Sequence, residues 1–156
     1  MTNSAHQSSD AIAILRGCVL IILLLGLLGT GAELLLLEHI EGYWQKVPLV
    51  LITLSLATLA LQAAIRRVAS VRIFQATMLL VMASGVAGLV LHYRGNVEFE
   101  LEMHPTNAGW PLFWQALKGA TPALAPGMMI QLGLLGLAWT FRHPLLAAAN
   151  SRTTTH

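Results

Sequence analysis

Long apolar stretches, broken by short charged ones, dominate this chain. The first runs from about Ala11 to Leu37, with an uncharged centre from Gly17 to Ala32. The second is Val47 to Ile65 and the third Ile73 to Tyr93, both free of Asp, Glu, Lys and Arg. The fourth lies within Gly119 to Phe141. Crossing a hydrocarbon core of about 30 Å as an α-helix takes roughly 20 apolar residues, at about 1.5 Å each. Hydrocarbon offers no partner to an open backbone N–H or C=O, so each stretch predicts a helix. Pro122 and Pro126 put the start of the regular fourth helix near Pro126 or a turn earlier. A proline fits a first turn because its missing N–H has no partner there anyway.

The predicted fold class is an all-α integral membrane protein, an antiparallel bundle of four transmembrane helices. Spans are expected at about 11–37, 47–65, 73–93 and 123–141, within a membrane domain of residues 11–149. Residues 1–10 and 150–156 are polar and read as disordered cytoplasmic tails. A cleaved leader is the rival reading of the start, with Val19–Leu28 as its apolar stretch and Thr30-Gly31-Ala32 as the cleavage site. The apolar pattern continues through Leu34 to Leu37, which opposes cleavage.

Charge orients the bundle. Arg16, Arg66, Arg67, Arg72, Arg142 and Arg152 fall on one side, and Lys46, Arg94 and Lys118 on the other. The richer side is expected to be cytoplasmic, with both termini, in a bacterial inner (plasma) membrane. Glu33, Glu38, Glu41, Glu98, Glu100 and Glu102 collect on the outer side, and Asp10 alone lies inside.

Composition narrows the class. Of 156 residues, 56% are hydrophobic and 10% charged, against about 25% charged in soluble domains. That excludes a disordered chain, a coiled coil and an ordinary soluble enzyme. The single cysteine, Cys18, excludes an intrachain disulfide and any Cys-based zinc or iron–sulfur site within the chain. The net charge is only +2 and no long basic run exists, so nucleic acid is not an expected partner.

Helix contacts in lipid rest on close approach and polar pairing. Small residues recur at four-residue spacing as Gly26 and Thr30, Ser84 and Gly88, and Gly136 and Thr140. Gly85, Gly88 and His92 share one stripe of the third helix, which would turn His92 inward near the outer end. Gln62, Gln75 and Gln131 are expected to bond between helices or to reach the interface.

Only the outer connection from about Arg94 to Thr121 is long. Long ordered loops carry function more often than short ones. From Val97 it alternates strictly: Val97, Phe99, Leu101 and Met103 against Glu98, Glu100, Glu102 and His104. Period two predicts a strand with one apolar face, ended by Pro105. Trp110, Leu112, Phe113, Trp114 and Leu117 then fit a short amphipathic helix at headgroup level.

His39, His92 and His104 all fall on this outer side. Imidazole and carboxylate together suit zinc, iron, manganese or copper(II), so these three with Glu38, Glu41 or Glu33 form a candidate transition-metal site. His39 and Glu41 converge only if the first helix ends near Glu38. A haem held by His39 and His92 is the second cofactor reading. The bland alternative is polar decoration of a wet membrane edge. Glu33, an acid in an apolar run, is a candidate proton or cation relay or an ordinary interfacial acid.

Nucleophilic catalysis has no support: Cys18 has no neighbouring His, and no Ser sits in a G-x-S-x-G turn. The expected function is therefore non-enzymatic. The chain reads as an accessory or assembly subunit in the lipid bilayer. It would present Val97, Phe99, Leu101, Met103, Trp110 and Trp114 to another membrane or extracytoplasmic protein. The alternatives are a redox or metal-handling protein and a small transporter using Glu33.

Overall fold

The computed structural model describes residues 2–119 and 121–147, with side chains from Asp10 onward. The tail at 150–156 lies outside the described residues. The chain forms α1 (Thr2–Leu36), α2 (Tyr43–Ile65), α3 (Val68–Met103), α4 (Gly109–Leu117) and α5 (Gly127–Thr140), and no strand occurs among the described residues. α1 reaches back into the segment expected to be a polar tail. No Pro or Gly interrupts residues 2–16, so a helix nucleated in the apolar run can propagate outward.

Asp10–Leu36, α2 and α3 are long and apolar enough to cross a membrane. Their outward faces are apolar too, with Ile21, Leu25, Leu28, Val50, Leu80 and Val86 exposed. Helices apolar all round belong in lipid, which points to a membrane protein. α5 has 14 residues, a rise of about 21 Å.

The helices form a ring in which α1 touches α2 and α5, and α3 touches α2, α4 and α5. Its centre is filled by Leu23, Leu27, Ile52, Phe74, Met78, Val81, Leu132 and Trp139. The Phe74 and Trp139 rings meet edge to face at 5.4 Å, a favoured aromatic geometry.

Local chemistry explains the breaks. At the end of α1, the His39 N–H reaches the Leu34 carbonyl at 3.0 Å and the Glu38 N–H reaches Leu35 at 3.1 Å. Glu38 sits in the left-handed region, φ 51°. This bond pair is a Schellman C-cap. Between α2 and α3 only Arg66 and Arg67 intervene. Arg66 is left-handed and donates its N–H to Gln62, and the Ser70 hydroxyl accepts from the Arg67 N–H at 3.2 Å.

The structure corrects one element. Val97–Met103 is not a strand; α3 runs through it without a break. An isolated strand leaves a row of backbone groups unpaired, whereas lengthening an existing helix adds one bond per residue and needs no new nucleus. Glu, Leu and Met also favour helix. The helix separates residues that a strand would have aligned. Val97 and Leu101 form one row, Phe99 and Met103 another, with Glu98 and Glu102 between them.

α5 seats on α3 and α1 through glycines. A Cβ on Gly85 would lie 2.7 Å from Ile130 Cγ1 and 2.9 Å from both the Ile130 nitrogen and the Pro126 oxygen. One on Gly88 would lie 2.7 Å from Pro126 Cβ. Backbone cannot swing aside as a flexible side chain can. Gly85→Val is therefore expected to lower the detergent-solubilised unfolding midpoint sharply, by the equivalent of about 3 kcal/mol. Gly17→Ala, with nothing within 4 Å, should be neutral or stabilising. A thermal scan of both variants checks the contrast.

Candidate functional site

The bundle has a polar cluster at each end. At the acidic end, the α1 cap turns the chain so that the His39 and His92 rings lie 6.3 Å apart, centre to centre, inclined at 55°. His92 Nδ1 is 3.1 Å from the Pro122 carbonyl oxygen. A carbonyl only accepts, so Nδ1 is the donor, and the neutral form of the ring has its lone pair on Nε2. His92 is half-buried on α3, one turn from Gly88.

The other outer candidates stay apart. His104 caps α3 in solvent, with Nδ1 3.5 Å from Glu100 Oε2. It lies twelve positions beyond His92, about 18 Å along the helix. Glu38 and Glu41 are exposed on the α1–α2 turn, and Glu33 is exposed near the end of α1. Among the described residues no three His, Cys, Asp or Glu side chains gather to hold a metal. α1 does end near Glu38, its last helical residue being Leu36, and of these candidates it is His39 and His92 that come together.

Asn96 is a residue that the sequence reading passed over. It is 2% exposed, one turn beyond His92. Its Nδ2 donates to the Ala116 carbonyl at 2.9 Å and the Thr121 carbonyl at 2.7 Å, and its Oδ1 accepts the Thr121 N–H at 3.1 Å. Every polar atom of the side chain is satisfied, which burial demands. Gly119 lies against it, where a Cβ would come within 2.6 Å of Asn96 Cγ. Asn96 thereby clamps the last turn of α4 and Thr121 beyond it onto α3.

That clamp holds α4 against α3. Tyr93 and Phe113 rings lie 5.8 Å apart. Trp110, Phe113 and Trp114, spaced i, i+3 and i+4, make one stacked group, with Trp110–Phe113 at 5.1 Å and Trp110–Trp114 at 5.8 Å. Lys118 Nζ sits 5.5 Å from the Trp114 ring centre. Trp110 remains 69% exposed, and Trp114, Phe99, Leu101 and Met103 are exposed as well. Val97 is half-buried.

At the arginine end, Gln62, Ser70 and His143 are buried together. Ser70 bonds Gln62, and the Gln62 amide approaches His143 Nε2 at 3.3 Å. The Leu145 N–H approaches His143 Nδ1 at 3.3 Å. Arg16 Nη2 donates to the Phe141 and Arg142 carbonyls at 3.1 and 2.8 Å. These contacts bring Arg16, part-way along α1, to one level with the start of α3 and the ends of α2 and α5. Further up, Gln75 donates to Thr140 across the α3–α5 contact at 3.0 Å, while Gln131 stays exposed. Burial, and then the nearby Arg16 cation, hold His143 below its ordinary value.

No known protein family, curated protein or solved structure matches this chain.

The lowered His143 value has a signed consequence. Above about pH 6.5 the imidazole is neutral whether folded or not, and stability does not depend on it. As the pH falls below that value, the unfolded chain takes up a proton that the folded site refuses, so stability is lost until the folded group titrates. Unfolding midpoints measured from pH 7.5 to 5.5 are expected to fall more steeply for the native protein than for His143→Gln.

Proposed function

We propose that this protein is a non-enzymatic accessory or assembly subunit of a bacterial plasma membrane, presenting the far end of α3 and the aromatic face of α4 to a partner protein on the outer side. One observation carries the reading. Asn96 spends all its hydrogen bonds on fixing α4 to α3, and the surface so fixed keeps Trp110, Phe99 and Met103 exposed. A rigid aromatic patch beside carboxylates has the composition of an interaction surface.

The reading includes four crossings, with both termini cytoplasmic. α5 alone is short, but the segment before it is wound as turns, with i→i+3 bonds from Ala125 to Pro122 and from Met129 to Pro126. At about 2 Å per residue, these turns extend the rise of α5 toward the full core. Pro122 then lies level with His92, and His143 with Gln62. The arginine-rich end faces the cytoplasm by the positive-inside rule. On this topology α3, at 36 residues and about 54 Å, must project beyond the lipid.

Photo-crosslinking residues incorporated at Phe99 and Trp110 are expected to give the same protein adduct in native membranes. The adduct should be lost when Phe99 and Leu101 are replaced with Ser and absent when the probe sits at Leu28. Adducts to lipid alone would reject a partner protein.

A second reading has its own support in the His39–His92 pair. Imidazoles that bind a metal commonly donate their other N–H to a carbonyl, as His92 does to Pro122. Nε2 of His92 and the His39 ring would supply two ligands for zinc or copper(II), and solvent the rest. Elemental analysis is expected to find metal lost in His39→Ala and His92→Ala and kept in His104→Ala. A Soret band on adding haemin would instead favour haem, and neither signal would remove this reading.

A further inference from the structure

A cavity of about 670 Å³ lies at the arginine end between α1 and α2. Leu20 and Leu24 line it from α1, Leu56 and Leu59 from α2, and Trp139 and His143 close its inner side. Arg16 and Arg66 line the same space. The two helices meet at their other ends, where a Cβ on Gly31 would touch Ile52 at 3.5 Å. They part toward the arginines and leave a groove between two lipid-crossing helices.

The chemistry of the groove selects its occupant. Its walls are leucine, so a peptide backbone laid there would find few hydrogen-bond partners, whereas an acyl chain asks for none and restores the dispersion contacts an empty groove forfeits. Its cationic end asks for an anion. Neither arginine pairs with a carboxylate among the described residues, where the one ion pair is His104 with Glu100. Arg16 is held in place by the two carbonyls it donates to, both through Nη2. A guanidinium has five N–H donors, so three remain for phosphate oxygens. Arg66, at the α2 C-cap, brings the second charge from the facing helix.

We propose that this groove binds an anionic phospholipid, its phosphodiester between Arg16 and Arg66 and one acyl chain between α1 and α2. Basic pockets between membrane helices recognise lipid headgroups in this way. The site is independent of the outer surface of α3 and α4.

Native mass spectrometry of the full chain in neutral detergent tests it, with dioleoylphosphatidylglycerol, dioleoylphosphatidylcholine and inorganic phosphate as separate probes. One phosphatidylglycerol should be retained in preference to phosphatidylcholine. Arg66→Asn, which suits the left-handed backbone there, should weaken that retention roughly fivefold. Adding Arg16→Gln should bring the loss to about 25-fold, each arginine contributing about equally. Leu56→Trp, which fills the groove without touching charge, should also weaken it, and Arg72→Gln, outside the groove, should not. Equal retention of the two lipids would overturn the proposal. So would an equal loss in Arg72→Gln, which indicates only a diffuse positive field, or displacement by phosphate alone, which indicates a soluble-anion site. If Arg16→Gln unfolds in a thermal scan, Arg66→Asn and Leu56→Trp decide the matter.

Discussion

A helix surrounded by hydrocarbon gains nothing by hiding a leucine from more hydrocarbon. Cohesion within the ring must come from close approach and from polar groups that cannot be left unpaired. The seating of α5 on α3 is where this constraint is most visible. Gly85 and Gly88 let the Pro126 turn lie directly on α3, and Gln75 reaches Thr140 nearby. Remove the close approach and α5 has no reason to stay. Its loss would also unseat the Phe74–Trp139 contact and the His143 cluster beyond it.

The two polar clusters solve one problem at opposite ends. Where helices leave the bundle, backbone carbonyls and N–H groups lose their helical partners, and a side chain must replace them. Asn96 does this for Thr121 and adds a bond to the Ala116 carbonyl. Arg16 does it for Phe141 and Arg142. The surfaces proposed for binding sit directly beside these clamps: the aromatic patch and the imidazole pair beside Asn96, and the leucine groove beside Arg16. Positions that must be rigid for structural reasons thus hold exposed chemistry in a fixed geometry.

Much of the helical layout is legible in the order of residues because hydrocarbon allows a chain few choices. Gly85, Gly88 and His92 can be read as one stripe, and one more turn along it reaches Asn96, whose clamp the strand reading concealed. That reading followed the alternation from Val97 to Met103, a period-two pattern with no neighbouring strand to pair with. Continuity with the preceding helix outweighed the pattern. The His39–His92 approach depends on the left-handed turn at Glu38, which sequence could pose only as a condition. His143 was not legible at all, because its partner Gln62 lies 81 positions away and nothing local marks it as buried.

The unbroken course of α3 has a mechanical meaning. On the proposed topology this helix passes from lipid into water without a hinge, which makes it a lever whose fulcrum lies in the bundle. Transmembrane helices adjust their tilt to bilayer thickness, and α3 carries α4 rigidly through Asn96 and the Tyr93–Phe113 contact. Any thinning or thickening of the surrounding bilayer would therefore arrive at the indole rings as a lateral sweep, amplified by the length of arm beyond His92.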